Sequence, residues 1–295
     1  FLDCFRRASR ILNHRVSKGS VGTLYAFLIQ YKGKEKYDIK MLLILGIFNY
    51  LKTNTMKKLL LLLLIVPLVS FGQTAEDFFN SGKAKDSLED FKGAIADYTK
   101  AIELDPDVAK YYFDRGDSKF LLDDNKGSID DYTKAIELDP NVAEYYYTRS
   151  FSKYLLDDNK GAIEDSTKAI ELDPDVAIYY NNRGDSKFLL DDNKGSIDDY
   201  TKAIELDPNV AKYYYNRGLS KYLLDDNKGA IDDYTKATEL DPDVSLYYYK
   251  RGSSKFLLDD NKGAIEDYTK AIELDPDIAK YYFDRGDSKF LLDDN

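Results

Sequence analysis

The sequence predicts an all-α fold, an array of helix pairs that repeats every 34 residues. Every proline after Pro67 recurs at that interval, each within Glu-Leu-Asp-Pro, at Pro106, Pro140, Pro174, Pro208, Pro242 and Pro276. Between two such prolines lie two stretches in which apolar residues are spaced three and four apart, the pattern of a helix with one buried face. A period of this length is typical of helical repeats, in which stacked units share one core.

The first helix of a unit carries an apolar stripe that includes a glycine. In the unit 109–142 the stripe is Ala109, Tyr112, Gly116 and Phe120. A glycine inside a helix costs about 1 kcal/mol relative to alanine. The recurrence of glycine at this position therefore predicts a close contact with a neighbouring helix. The position is occupied by Gly82, Gly116, Gly184, Gly218, Gly252 and Gly286, and by Ser150 in the third repeat.

The second helix has a matching stripe, formed by Ile129, Tyr132, Ala135, Ile136 and Leu138. The charged residues between them, Asp130, Asp131, Lys134 and Glu137, are expected to face water. Asp130 and Lys134 stand one turn apart in the favourable order and are expected to pair. Proline then ends the helix, because it lacks the N–H donor and restricts the residue before it. Arg115 and its equivalents are expected to pair with acidic residues between helices.

This unit resembles the tetratricopeptide repeat, with signature positions occupied by Tyr112, Gly116, Phe120, Ser128, Tyr132, Ala135 and Pro140. The resemblance covers six full repeats, 75–278, and a truncated seventh, 279–295. It implies a right-handed α-solenoid of antiparallel helix pairs, with first helices lining the concave side. The family usually has glycine where each first helix ends, so here Asn125 is expected to take the left-handed conformation. In the seventh repeat, Tyr282 and Phe290 are expected to lose half of their cover.

The first 72 residues do not belong to the array. Residues 1–55 share neither its period nor its composition and are interpreted as an unstructured, translated upstream segment, with a genuine extension as the alternative. Residues 56–72 have the features of a signal peptide: Met56-Lys57-Lys58, an apolar run, and small residues at a cleavage point. An uncleaved anchor is the alternative. The sequence thus predicts export to the bacterial periplasm or the extracellular space, without membrane insertion after cleavage.

The composition of the array argues against several classes of function. Residues 73–295 contain neither histidine nor cysteine, and their 30 Lys and Arg against 50 Asp and Glu give a net charge of −20. We therefore expect no catalytic residues, no enzyme activity, no cofactor, no metal and no nucleic-acid partner. The repeated Asp-Asp-Asn turns resemble part of a calcium loop but lack its bidentate glutamate. An acidic structural or calcium-responsive envelope protein remains the alternative function.

Differences between the repeats cluster on one face of the first helix, at its second, sixth and ninth positions, beside a mostly aromatic fifth position. In the family this face lines the groove, so we predict a scaffold that binds a protein or peptide segment there. The predicted contact residues are Lys110, Phe113, Asp114, Asp117, Tyr147, Thr148, Phe151, Asn181, Asn182, Asp185, Lys212, Tyr215, Asn216, Leu219, Tyr249 and Lys250.

Three alternatives stay open for this face. The aromatic rings could pack only between adjacent repeats, and variation on a solvated surface could be neutral. A clamp for a C-terminal carboxylate could use Asn182, Asn216, Lys212 and Lys250, although Asp185 intrudes and the basic set is incomplete. An extended segment with mixed polar and apolar residues fits better, because the stripe changes sign along its length.

Overall fold

The computed structural model describes residues 73–293, which form thirteen α-helices and, within that range, no strand. The array is one compact unit, and the predicted signal peptide and upstream segment lie outside the described residues. The first helices are α1 (Ala75–Asp86), α3 (Ala109–Phe120), α5 (Ala143–Leu155), α7 (Ala177–Leu189), α9 (Ala211–Leu223), α11 (Ser245–Leu257) and α13 (Ala279–Asp293). The second helices are α2 (Phe91–Leu104), α4 (Asn125–Leu138), α6 (Asn159–Leu172), α8 (Asn193–Leu206), α10 (Asn227–Leu240) and α12 (Asn261–Leu274). The predicted all-α solenoid of helix pairs is confirmed.

Each first helix that is followed by a second helix ends in a turn with one left-handed residue. In the second repeat this residue is Asp123, with φ of 62°. Its N–H donates to Phe120 O at 2.9 Å, and the N–H of Asp124 donates to Lys119 O at 3.0 Å, which together form a Schellman motif. The prediction for Asn125 is wrong, because Asp124 already caps α4 by accepting the Gly127 N–H at 3.0 Å and Asn125 is helical. The equivalent left-handed residues are Glu89, Asp157, Asp191, Asp225 and Asp259.

Within a repeat, a tyrosine of the second helix packs over the glycine of the first. A Cβ atom added to Gly116 would lie 2.7 Å from Tyr132 Cε1, so the predicted close contact is confirmed. The third repeat shows why Ser150 is tolerated. There Ser166 replaces the tyrosine, which leaves room for the Ser150 side chain, and the two hydroxyl oxygens lie 2.7 Å apart.

A buried ion-pair cluster links the two helices of a repeat to the preceding repeat. Arg115 donates to the Asp131 carboxylate from Nε at 2.9 Å and Nη2 at 2.6 Å, and Lys119 Nζ lies 2.7 Å from the same carboxylate. Arg115 Nη1 also donates to Thr99 of the first repeat at 3.1 Å. The prediction that these arginines pair with acids is confirmed for Arg115, Arg149, Arg183, Arg217 and Arg251, whereas Arg285 donates to Thr269 Oγ1. Four later repeats contain the same cluster, centred on Asp165, Asp199, Asp233 and Asp267.

Two expectations for the second helix are therefore wrong. Asp131 is only 3% exposed and does not face water, because two cations neutralise it inside the array. Lys134 pairs with Glu137 at 3.0 Å rather than with Asp130. The amphipathic pattern therefore misplaced Asp131, which is buried, and assigned Lys134 the wrong partner.

The apolar core continues from repeat to repeat. One cluster contains Tyr112, Phe113, Tyr132 and Ala135 of the second repeat together with Tyr145 of the third. This continuity stops at α13, where Tyr282 is 43% and Phe290 is 67% exposed. The predicted loss of cover in the seventh repeat is confirmed.

Candidate functional site: the face of the first helices

First helices of successive repeats touch one another along one side of the array. Ring contacts join the fifth residue of one first helix to the third residue of the next: Phe113 to Tyr145 at 4.7 Å between centroids, and Tyr249 to Tyr281 at 4.8 Å. Equivalent contacts join Phe79 to Tyr111, Tyr147 to Tyr179 and Tyr215 to Tyr247. The fifth-position rings therefore pack between repeats, as the alternative interpretation expected.

The predicted contact residues differ in accessibility. Lys110, Phe151 and Lys212 are exposed. Partly exposed residues are Asp114, Asp117, Tyr147, Thr148, Asp185, Tyr215, Leu219, Tyr249 and Lys250. Four others are buried, namely Phe113, Asn181, Asn182 and Asn216. Their side chains serve contacts inside the array, so the accessible face is narrower than the variable stripe.

A polar network interrupts the ring contacts at the fourth and fifth repeats. Asp185 accepts hydrogen bonds from Tyr200 Oη at 2.8 Å, Asn181 Nδ2 at 3.0 Å and Asn216 Nδ2 at 2.9 Å. Lys212 Nζ lies 3.8 Å from the same carboxylate. Burial raises the pKa of Asp185 above its ordinary value, and the neighbouring donors oppose that shift. The side-chain amides of Asn181 and Asn216 are therefore engaged as hydrogen-bond donors to Asp185 inside the array.

Asn182 belongs to a different polar cluster, one repeat boundary earlier. Its Nδ2 donates to Ser150 Oγ and, at 3.2 Å, to Ser166 Oγ. The amide therefore occupies part of the space that a tyrosine ring takes in other repeats. Since Asn182 and Asn216 both bond inside the array, the residues considered for a carboxylate clamp do not converge on one open site.

Carboxylates accumulate on the face between the first and third repeats. Asp114 pairs with Lys110 at 3.3 Å, and Asp117 accepts the Tyr132 hydroxyl at 2.7 Å. Burial is the main cause that raises the pKa of Asp117 to about 7, and the charges of Asp114, Glu144 and Asp86 add to it. This part of the face favours a cation or a proton.

The opposite character prevails in the sixth repeat. Burial lowers the pKa of Lys250 below its ordinary value, and its Nζ lies 5.8 Å from the Tyr249 ring. Among the described side chains, no carboxylate forms an ion pair with Lys250. The ninth position here is Ser253, and in the preceding repeat it is Leu219. From the second to the sixth repeat the face therefore changes from acidic to apolar and basic, and Asp284 and Asp287 make it acidic again in the seventh repeat.

The variable positions include Phe151 but omit the accessible apolar residues beside it. Phe151, 36% exposed, lies 5.7 Å from Phe120 and 6.2 Å from Tyr154 between ring centroids, so three rings form a patch between the second and third repeats. Beyond them, Leu155 and Leu156 are 47% and 40% exposed. Position twelve is aromatic in repeats two to seven and is followed by leucines. This apolar patch could therefore have been predicted from residues that stay the same between repeats, rather than from those that vary.

The acidic turns do not assemble a metal site. Asp124 and its equivalents accept the glycine N–H three residues later and cap the second helices. Across residues 73–293, no three His, Cys, Asp or Glu side chains are placed to hold a metal ion. Nor does any helix in this range combine the length and apolar character that crossing a membrane requires.

The repeats match family profiles of known proteins. Profiles described as tetratricopeptide repeat match residues 78–108, 109–142, 143–176, 211–244 and 246–278, and one described as TPR repeat matches 184–225. A comparison with curated protein sequences gives no match.

Solved structures share the fold. A crystal structure of MamA is 28% identical, covering 59% of this chain and 94% of its own, with a TM-score of 0.54. YrrB, described as a TPR protein with an unusual peptide-binding site, is 22% identical, covering 63% and 96%, with a TM-score of 0.57. PilF of Pseudomonas aeruginosa is 15% identical, covering 72% and 97%, with a TM-score of 0.61. With its 34-residue helix pairs and the profile matches through residue 278, this chain belongs to the tetratricopeptide repeat family.

Proposed function

We propose that the array is a non-enzymatic scaffold that binds a segment of a partner protein along its first helices, and that it does so after export from a bacterial cell. Tetratricopeptide repeat proteins in general mediate protein–protein interaction, and YrrB is described as having a peptide-binding site. The sequence of residues 56–72 supports the export step.

The distribution of sequence differences carries the proposal. Helices α4 and α8 have the same sequence, Asn-Lys-Gly-Ser-Ile-Asp-Asp-Tyr-Thr-Lys-Ala-Ile-Glu-Leu. The second position of the first helices instead changes in size and charge and is exposed in every repeat, as Glu76, Lys110, Glu144, Ile178, Lys212, Leu246 and Lys280. Similar second helices and diverse, accessible first helices favour recognition on the first-helix side.

The charges of this face define the segment that fits. Asp117 and Glu144 lie in the second and third repeats, whereas Lys212, Leu246 and Lys250 lie in the fifth and sixth, before the acidic Asp284 and Asp287 of the seventh. A segment with basic residues at one end and acidic or apolar residues at the other is complementary to both parts. Phe151 and its neighbouring rings offer an apolar contact between them.

Site-specific photo-cross-linking tests the proposal. A photoreactive amino acid is placed at position 151, 212 or 246 on the first-helix face, in cells that naturally produce the chain. Matched controls carry it at 168, 202 or 236, where exposed lysines lie on second helices. We expect the three first-helix positions to capture one shared protein, identified by mass spectrometry.

Capture of the same protein with equal yield from the second-helix positions would refute recognition by the first-helix face. Export is tested separately, by the mass of the chain recovered from the cell envelope. We expect its N-terminus near Gln73. Recovery from the cytoplasm with residues 56–72 intact would refute export without deciding the cross-linking result.

A further inference from the structure

Two consecutive leucines stand at the end of the first helix in each repeat from the second to the sixth, and both remain exposed. In the fourth repeat Leu189 is 48% and Leu190 is 43% exposed, and the other four repeats give values between 39% and 56%. Single exposed leucines are ordinary, but a row of them marks an interaction surface. The ten side chains, termed the leucine edge, are Leu121, Leu122, Leu155, Leu156, Leu189, Leu190, Leu223, Leu224, Leu257 and Leu258.

The leucine edge follows one side of the array because the repeats stack in the same way. Ring contacts between successive first helices recur at five repeat boundaries, with centroid distances between 4.7 and 5.1 Å. At the ends of these helices, Phe120, Phe151 and Tyr154 bring rings of the second and third repeats together, next in sequence to Leu121 and Leu155. Packed helix axes lie about 8–10 Å apart, so successive leucine pairs are spaced by about that distance.

Exposed carboxylates follow the leucines in each of these turns. Asp123 and Asp124 of the second repeat are exposed, and the ion pairs of this repeat engage other acids. Lys126 is exposed as well, which leaves the turn with a net charge of −1. The same order of residues, Leu-Leu-Asp-Asp-Asn-Lys, occurs five times. An acidic rim therefore borders the leucine edge in the five repeats that form it.

The spacing of the repeats favours a helix as the element that covers the leucine edge. Seven residues of an α-helix rise about 10.5 Å, which is close to the separation of packed helices. An amphipathic helix with a seven-residue pattern therefore presents one apolar cluster to each repeat. A β-strand covers the same distance in about three residues, so its matching side chains would point alternately to opposite faces.

We propose that the leucine edge docks an amphipathic α-helix of a partner protein, whose apolar stripe is bordered by lysine and arginine. The apolar stripe covers the leucines, and the cations lie against Asp123, Asp124 and their equivalents. The leucine edge consists of residues that are the same in each repeat. Docking here therefore does not depend on recognition by the variable positions of the first helices, and either proposal can fail alone.

The acidic rim decides between this partner and two other occupants. A second copy of the chain would bring two acidic rims against each other, which costs electrostatic free energy. Anionic lipid headgroups would be repelled by the same carboxylates. A basic helix gains from both parts of the surface, since it buries the leucines and neutralises the rim.

The test uses the full chain and a fluorescent peptide made of three copies of Leu-Lys-Lys-Leu-Leu-Lys-Lys, acetylated and amidated at its ends. Fluorescence anisotropy measures binding at low ionic strength and at about 0.15 M salt. We expect saturable binding that weakens about tenfold or more when Leu155, Leu189 and Leu223 are all replaced by glutamine, because the apolar contact is lost. Glutamine is a good helix former, so the first helices persist, and circular dichroism checks this.

A second variant tests the acidic rim. Asparagine tolerates the left-handed conformation, so Asp157→Asn, Asp191→Asn and Asp225→Asn together remove three charges and keep the turns. We expect this variant to bind the peptide about threefold or more weakly at low salt, with a smaller difference at about 0.15 M salt.

The matched control removes three exposed charges from second helices, by Glu171→Gln, Glu205→Gln and Glu239→Gln, and should bind the peptide as the unmodified chain does. Unchanged binding by the leucine variant, or an equal loss in this control and in the aspartate variant, would overturn the proposal, since net charge alone would then hold the peptide. A dimer, or binding to phosphatidylcholine vesicles, that the leucine variant abolishes and the peptide does not inhibit would also overturn it, because the occupant would be a second copy or lipid.

Discussion

Replacing Tyr234 by phenylalanine is expected to stabilise the array, although the same change destabilises it one or three repeats away. Tyr234 is fully buried, and its hydroxyl has no hydrogen-bond partner. Tyr132 stands at the equivalent position, is 1% exposed, and donates to Asp117 at 2.7 Å. The difference arises at the ninth position of the first helix, where Leu219 stands in place of the aspartate.

The two positions are closely matched in packing. Tyr132 lies 5.7 Å from Phe113 and Tyr234 lies 6.0 Å from Tyr215, between ring centroids, and each covers a glycine. A buried hydroxyl without a partner costs about 1–3 kcal/mol, whereas a hydrogen bond to a charged group contributes about 1.5–3 kcal/mol. Above about pH 7, where the Asp117 carboxylate is ionised, Tyr234→Phe should therefore raise the free energy of unfolding by about 1 kcal/mol or more, and Tyr132→Phe should lower it by about 2 kcal/mol.

Urea unfolding followed by circular dichroism at about 222 nm measures both changes, with midpoints and slopes compared between variants, since an array need not unfold in one step. A third variant, Leu219→Asp, supplies the missing acceptor. Its effect on stability should be more favourable when Tyr234 is present than in the Tyr234→Phe background, a coupling measured by a double-mutant cycle. Equal destabilisation by Tyr234→Phe and Tyr132→Phe would refute the reasoning, because the Tyr234 hydroxyl would then have to be satisfied.

Three further predictions concern the turns, the third repeat and pH. Asp157→Gly should raise the free energy of unfolding by about 1 kcal/mol, because glycine adopts the left-handed conformation without steric cost. Ser166→Tyr should destabilise the chain by clashing with Ser150 and with the Asn182 amide, and adding Ser150→Gly should restore part of the stability through a coupling of about 1–3 kcal/mol. Stability should fall as pH rises from about 4 to about 7, because the pKa of Asp117 is about 7 in the folded state against 3.8 ordinarily, so the folded chain holds the extra proton in that range. Asp117→Asn should flatten this dependence.

Each of these three predictions has a control or a result that would contradict it. Asp158→Ala removes a helix cap rather than a left-handed residue and should cost about 1 kcal/mol, so a gain there would contradict the assignment of the turn. Additive effects of the two serine changes would mean that they do not share one space. Asp130→Asn removes a charge on α4 outside the buried cluster and should leave the pH dependence as it is. Thermal unfolding across the pH series measures the last prediction.

The repeat period and the apolar spacing were enough to predict the helix pairs, the close contact at Gly116 and the exposed end at Tyr282. These features depend on local pattern and on the identity of neighbours in equivalent units, which near-identical repeats display directly. The left-handed residue of the turn was predicted at the wrong position. Asp123 rather than Asn125 is left-handed because Asp124 serves as the cap of the next helix, and both roles depend on backbone geometry over several residues.

At the candidate site, sequence variation between repeats did not always indicate that a side chain is exposed. Asn181 and Asn182 vary between repeats, yet both are buried, because each bonds across a repeat boundary to side chains of a neighbouring unit. Asp131 looks like a surface acid in the sequence, and only the approach of Arg115 and Lys119 from another helix makes its burial favourable. The sequence by itself therefore determined the architecture and the side on which the repeats differ. Tertiary structure decided which of those side chains remain accessible, since hydrogen bonds and ion pairs between repeats depend on side chains that meet only after the helices stack.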